Sequence, residues 1–128
     1  MKIVATRILV DDQAKAQAFY HHVLGFQPKD DIAMGKHRRI SLTSPNDPHG
    51  VELLLEPDVH PAAKTYKAAL KQDGIPATSF SVRDVYAEYT RLRAAGVHFT
   101  QSPEAVGTQI IAVFDDTCGN LIQIAQRH

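Results

Sequence analysis

Ile8-Leu9-Val10-Asp11-Asp12, followed by a helical pattern to Phe19-Tyr20-His21-His22-Val23-Leu24-Gly25, is written twice in this chain. The second copy is Phe80-Ser81-Val82-Arg83-Asp84, followed by a helical pattern to Tyr89-Thr90-Arg91-Leu92-Arg93-Ala94-Ala95-Gly96. Each copy closes on a β-rich run, Val51-Glu52-Leu53-Leu54-Leu55 in one and Leu121-Ile122-Gln123-Ile124-Ala125 in the other. The first copy reads outward as a strand at 3–10, a helix from about 13 to 23 and strands near 26–33, 37–43 and 50–56. Asp11 or Asp12 caps the helix, and Gly25 stops it. The second copy repeats the order, with a strand at 78–82, a helix at 85–95 stopped by Gly96, and strands near 97–101, 108–114 and 120–126. The expected fold is α+β, two tandem βαβββ modules with mostly antiparallel strands. Module one spans 1–56, a bridge with a helix at 62–72 spans 57–75, and module two spans 76–128. Each module's helix covers one sheet face and leaves the other to line a cavity.

The totals restrict the partners. A chain of 128 residues suggests one domain. Fourteen basic and fourteen acidic side chains cancel without a block of either sign, so neither nucleic acid nor a membrane surface is an expected partner. No apolar run approaches the ~20 residues of a spanning helix. Charges at Lys2 and Arg7 argue against a signal peptide. The single cysteine, Cys118, excludes an internal disulfide, and a cytoplasmic location is expected.

Val-x-Asp before a helix carrying Phe19-Tyr20, then Leu24-Gly25-Phe26, a Glu-Leu at 52–53 and Asp116 with Gly119-Asn120 together resemble the vicinal oxygen chelate superfamily. That group includes glyoxalase I, fosfomycin and bleomycin resistance proteins and extradiol dioxygenases. The resemblance covers nearly the whole chain and is least typical in the bridge. It implies a curved mixed sheet around a cavity and four ligand positions, which fall here on Ala5, Glu52, Ala77 and Gln123. Histidine is common in the family at the positions of Ala5 and Ala77, and glutamate at that of Gln123. An alanine side chain has no lone pair, so one carboxylate and one amide remain, fewer than the three protein ligands of a catalytic zinc site.

Strand alternation sorts the remaining side chains. With Ala5 and Glu52 facing the cavity, Arg7, Leu9, Leu54 and Glu56 face it too, while Thr6, Ile8, Val10, Val51, Leu53 and Leu55 pack beneath the helix. In module two, Ala77, Ser79, Ser81, Leu121, Gln123 and Ala125 face the cavity. None of the seven histidines falls on an inward position. His21 and His22 end a helix, His49 and His60 sit in turns, His128 is the terminus, and His37 and His98 lie at strand edges as the only recruits. No metal site and no cofactor are expected, unless a divalent ion recruits further ligands.

Arg7 is expected either to form an internal ion pair with Glu52 or to act as a fork donor to a ligand's carboxylate, phosphate or polar oxygen. Glu52 is the one candidate catalytic residue, a general base if burial raises its pKa. Arg7, Glu52, Ser79, Ser81 and Gln123 are the candidate substrate-binding residues, with the facing of Arg38, Arg39 and Ser41 open. The function expected from residues and resemblance is binding of a small polar or anionic molecule in a metal-free cavity. The alternatives are a divalent-metal-dependent lyase, isomerase or dioxygenase of glyoxalase type, and a purely structural dimer module. Tyr66, Leu70 and Ala62/Ala69 on the bridge helix pack on the domain or on a second chain, and a homodimer is expected because open half-barrels leave apolar edges.

Overall fold

The computed structural model describes residues 1–127. In chain order its elements are β1 (Ala5–Val10), α1 (Gln13–Ala18) running into a π-helical turn (Phe19–Val23), β2 (Gln27–Met34), β3 (His37–Thr43), β4 (Glu52–Pro57), α2 (Pro61–Gln72), β5 (Thr78–Ser81), α3 (Val85–Ala94), β6 (Phe99–Val106), β7 (Gln109–Asp115) and β8 (Leu121–Arg127). They form two four-stranded mixed sheets, ordered β1-β4-β3-β2 and β5-β8-β7-β6. In each, the first and last strands of the module pair in parallel and the other neighbours are antiparallel. The α+β class and the duplicated order are those expected. The chain divides into two compact units, Met1–Lys64 and Thr65 onward, with the boundary inside α2.

Each unit buries one sheet face under its helix. In the first, Ile8, Val10, Ile40, Leu42, Leu53 and Leu55 are buried together with Ala16, Phe19 and Tyr20 of the helix. In the second, Ala112, Phe114, Ile122 and Ile124 are buried with Val85 and Leu92 of α3. The helices start as the repeated Val-x-Asp predicts. Asp12 accepts from the Lys15 backbone N–H at 3.1 Å, and Asp84 accepts from that of Ala87 at 3.0 Å. A glutamine in each unit ties helix to sheet. The Gln13 amide donates to the carbonyls of Arg38 and Leu55, while Gln126 accepts from the Val85 N–H.

One packing expectation fails. Thr6 and Val51 are exposed rather than covered, because β4 begins only at Glu52 and α1 does not shelter that end of the sheet. On α2 Lys67 is buried and Tyr66 is exposed, so Tyr66 does not pack on its own domain. The Lys67 ammonium donates to the Cys118 carbonyl at 2.8 Å, a partner that compensates its burial. That carbonyl belongs to the Asp115–Asn120 turn, where buried Asp116 accepts from the backbone N–H groups of Cys118 (2.8 Å) and Asn120 (3.0 Å) and from the Asn120 amide (2.9 Å). Cys118 is fully buried there.

Candidate functional site

The face of the first sheet opposite α1 carries a cluster of paired charges. Residues opposite one another across paired strands share a face. The register therefore places Arg7, Leu54, Ser41 and Asp30 in one row across the four strands. Ala5 and Glu52 lie opposite each other on one side of that row, Leu9 and Glu56 on the other, and Arg39 faces the same way opposite Ile32. Arg39 is thus the arginine of the Arg38–Arg39 pair that reaches this face. Arg38 points to the helix side and donates to Asp31 (2.6 and 2.8 Å) and to Gln17 (3.1 Å). Those bonds lower the Asp31 pKa below its ordinary value, the hydrogen bond from Arg38 leading, and raise that of Arg38. Ser41 shares the Arg39 face but is fully buried, its hydroxyl accepting from the Asp30 N–H at 3.1 Å.

The expected Arg7–Glu52 ion pair does not form. Arg7 stands opposite Leu54, one pleat from Glu52 on one side and from Glu56 on the other, and it pairs with Glu56 at 3.6 Å. Its guanidinium side chain is 67% exposed, so it is a surface group and not a buried charge. Glu52 is engaged instead by Lys29 at 3.6 Å and by Arg39 at 4.0 Å, and Arg39 also bonds Asp30 at 2.9 Å. The Glu52 side chain is 20% exposed, and its Oε1 is buried with no hydrogen-bond partner. Lys29 reaches it from a bulge in β2 between Pro28 and Asp30. Pro28 lacks the N–H a regular ladder needs, which is the sequence signal for that bulge.

Two hollows flank these charges. One, of about 310 Å³, is lined by Met34, His37, Arg39, Leu54 and Glu56. The other, of about 380 Å³, is lined by Ile3, Val4, Lys29, His49, Val51 and Glu52. Both are at the small end of ligand-pocket sizes. The turn residue His49 therefore lines the same hollow as Glu52, which alternation along the strands could not show. His37 borders the other hollow. His98 lies in the second unit in a separate hollow of about 430 Å³ with Tyr89, Arg93 and Phe99. His128 lies outside the described residues.

The corresponding face of the second sheet is neutral at its centre. Gln123 stands opposite both Ser79 and Val113, and its amide donates to the Ser79 hydroxyl at 3.0 Å. Ser81 lies opposite Ala125, and both serines are exposed. Ala77 sits two residues before Ser79, and its N–H donates to the Leu121 carbonyl at 2.8 Å. The four positions implied by the resemblance are therefore unlike in the two modules. Ala5 directly faces Glu52, whereas Gln123 is matched with Ser79. A divalent ion does not fit this donor set. Among the described residues no three His, Cys, Asp or Glu side chains converge as ligands. Ala5 offers Glu52 a methyl group, and two cations already face its carboxylate.

Residues 2–124 match the sequence profile of the glyoxalase/bleomycin resistance protein/dioxygenase superfamily. The chain belongs to this superfamily. A relative within reach of full-length comparison is the YurT protein of Bacillus subtilis (strain 168), 56% identical over 127 residues that cover 99% of this chain and 100% of that one. Among solved structures of the superfamily's fold, UcmS2 superposes with a TM-score of 0.84 at 29% identity, covering 98% of this chain and 97% of its own. TnmS3, an antibiotic binding protein from Streptomyces sp. CB03234, superposes with a TM-score of 0.79 at 23% identity over 100% of this chain and 97% of its own, a likeness of fold. Among the described residues no helix of this superfamily member is long and apolar enough to cross a membrane.

Proposed function

We propose that this superfamily member binds a small polar or anionic molecule on the Arg7–Arg39–Glu52 face, without a metal ion. The observation that carries this reading is the charge pattern around Glu52. Where the family resemblance implies an ion, Lys29 and Arg39 flank the carboxylate, so its charge is compensated by the protein. Arg7, mostly exposed and paired with Glu56 at 3.6 Å, offers its remaining guanidinium N–H groups as a fork for a ligand oxygen. Leu54, Ile3, Val4 and Met34 supply apolar walls beside these charges. The likeness in fold to TnmS3, an antibiotic binding protein, supports the same class of role, with an antibiotic as one ligand class to test. Ser79, Ser81 and Gln123 offer hydroxyl and amide groups for the same purpose in the second module.

A thermal-shift screen of small acids, thiol conjugates and antibiotics tests the proposal. A ligand at ~100 times its dissociation constant adds about 2.7 kcal/mol of stability. Any hit is expected to weaken by at least tenfold in Arg39→Ala and Arg7→Ala, and undiminished affinity in both variants would reject the face. The second reading, a divalent-metal lyase, isomerase or dioxygenase with Glu52 as ligand or base, is favoured by His49 at the edge of the Glu52 hollow. Near-stoichiometric metal in the purified protein, lost in both Glu52→Ala and His49→Ala, would select it. We further propose that the chain forms a cytoplasmic homodimer. The edge strand β2 exposes Ile32 and Met34, and Ile3, Val4 and Val51 are also exposed. A monomeric mass by light scattering at micromolar concentration would contradict the dimer.

A further inference from the structure

The first helix ends in a feature that the second lacks. From the cap Asp12 to the stop Gly25 is 25 − 12 = 13 positions, and from Asp84 to Gly96 it is 96 − 84 = 12. The extra residue is taken up by the π-helical turn Phe19–Val23, in which the Leu24 N–H reaches back to the Phe19 carbonyl at 3.1 Å. Such single-turn insertions are frequent at functional sites. Here the turn carries His21 and His22. Neighbouring residues do not face each other on an α-helix, yet these two imidazole rings lie with centroids 4.5 Å apart and planes tilted by 45°.

The His21 ring is fixed through one of its two nitrogens. Its Nδ1 lies 2.7 Å from the Phe26 carbonyl. A carbonyl only accepts, so Nδ1 carries the proton and Nε2 keeps the lone pair. Donation of one ring N–H to a backbone carbonyl is the usual way a ligand imidazole is fixed and made more basic. His22 is exposed and His21 half-buried, so an ion has access from solvent. Both sit in the last turn, where the helix carbonyls favour a cation.

We propose that His21 and His22 form a two-imidazole site for a borderline divalent transition ion, with water completing the coordination shell. The site is separate from the sheet face and independent of the function proposed for it. Imidazole ligands and the usual order of affinities favour Cu²⁺ over Ni²⁺ and Zn²⁺. In the second module these helix positions hold Arg93 and Ala94, so the site belongs to the first module alone.

The test is titration of the untagged full chain with Cu²⁺ and Zn²⁺ by calorimetry, with electron paramagnetic resonance on the Cu²⁺ form. A saturable site is expected, tighter for Cu²⁺, with nitrogen hyperfine structure from two imidazoles. His22→Ala, at an exposed position, should weaken it at least tenfold. His21→Phe, which retains a ring against its neighbours, should do the same, and circular dichroism checks that both variants fold. Unchanged affinity in both folded variants would overturn the proposal. So would a signal with a single nitrogen, or loss of the ion in Glu52→Ala with His21 and His22 intact.

Discussion

The two modules share a backbone plan and differ in what they place on it. Both begin a helix with an aspartate cap, end it with a left-handed glycine and pair their first and last strands in parallel. The centre of the first sheet's open face carries Arg7, Lys29, Asp30, Arg39, Glu52 and Glu56, linked in pairs, while the second centres on Ser79, Ser81, Gln123 and Ala125. The helix ends differ as well. In module two the Val97 N–H reaches the Leu92 carbonyl and the Gly96 N–H reaches that of Arg93, the paired bonds of a Schellman ending. In module one the Phe26 N–H reaches the Tyr20 carbonyl, one residue further back, and the Gly25 N–H reaches that of His21. The lesson is that buried apolar rows and caps keep the duplicated fold, and they leave the exposed face of each copy free to acquire its own chemistry.

The strongest challenge to that parity is in the cores. Leu42→Ala in module one and Leu92→Ala in module two each remove a fully buried side chain and should cost about 2–5 kcal/mol by denaturant unfolding. A cost near zero in either module would show that its core does not hold its fold. Asp116→Ala tests a turn that module one does not duplicate. It strips three hydrogen bonds from buried donors and is expected to cost roughly 2–4 kcal/mol, whereas Asn120→Ala, which removes one of those bonds at the side chain, should cost less. The caps test equality directly. Asp12→Ala and Asp84→Ala should each cost about 0.5–2 kcal/mol and agree with one another, since each carboxylate accepts one N–H of the same type.

The smallest effect is a pH dependence confined to module one. The Asp31 pKa is lowered by the hydrogen bond from Arg38, so the folded state favours its ionised form. That contribution is present above the ordinary aspartate pKa and is lost as pH falls through the lowered folded value, below about pH 4. Asp31→Asn should therefore lower stability slightly near pH 7 and flatten the acid limb of the stability profile by the same small amount, because the pair is solvent-exposed and screened. A steeper acid limb in the variant would contradict this sign.

The periodic features were legible in the chain. Asp12, Asp84, Gly25 and Gly96 mark helix limits by local chemistry, and alternation in Ile8/Val10 and Leu53/Leu55 reveals the buried face. The site was legible only in part. Alternation placed Arg7, Glu52 and Glu56 on one face, but the strand register decided that Arg7 meets Glu56. The choice between Arg38 and Arg39 also depended on register, and the approach of Lys29 depended on a bulge. The pairing of Gln123 with Ser79 instead of Ala77 is another long-range alignment. His49 came to line the hollow of Glu52 through a turn whose path no period describes.

Sequence by itself determined the duplicated strand and helix order, the caps, the stops and the superfamily resemblance, because each rests on contacts between residues close along the chain. Tertiary structure alone decided which charges compensate Glu52 and which glutamine or serine answers another. It also decided how one extra residue in the first helix brings His21 against His22. Those outcomes depend on groups that meet only after distant strands and turns have taken their register, and a side chain's partner is then set by distance across the fold.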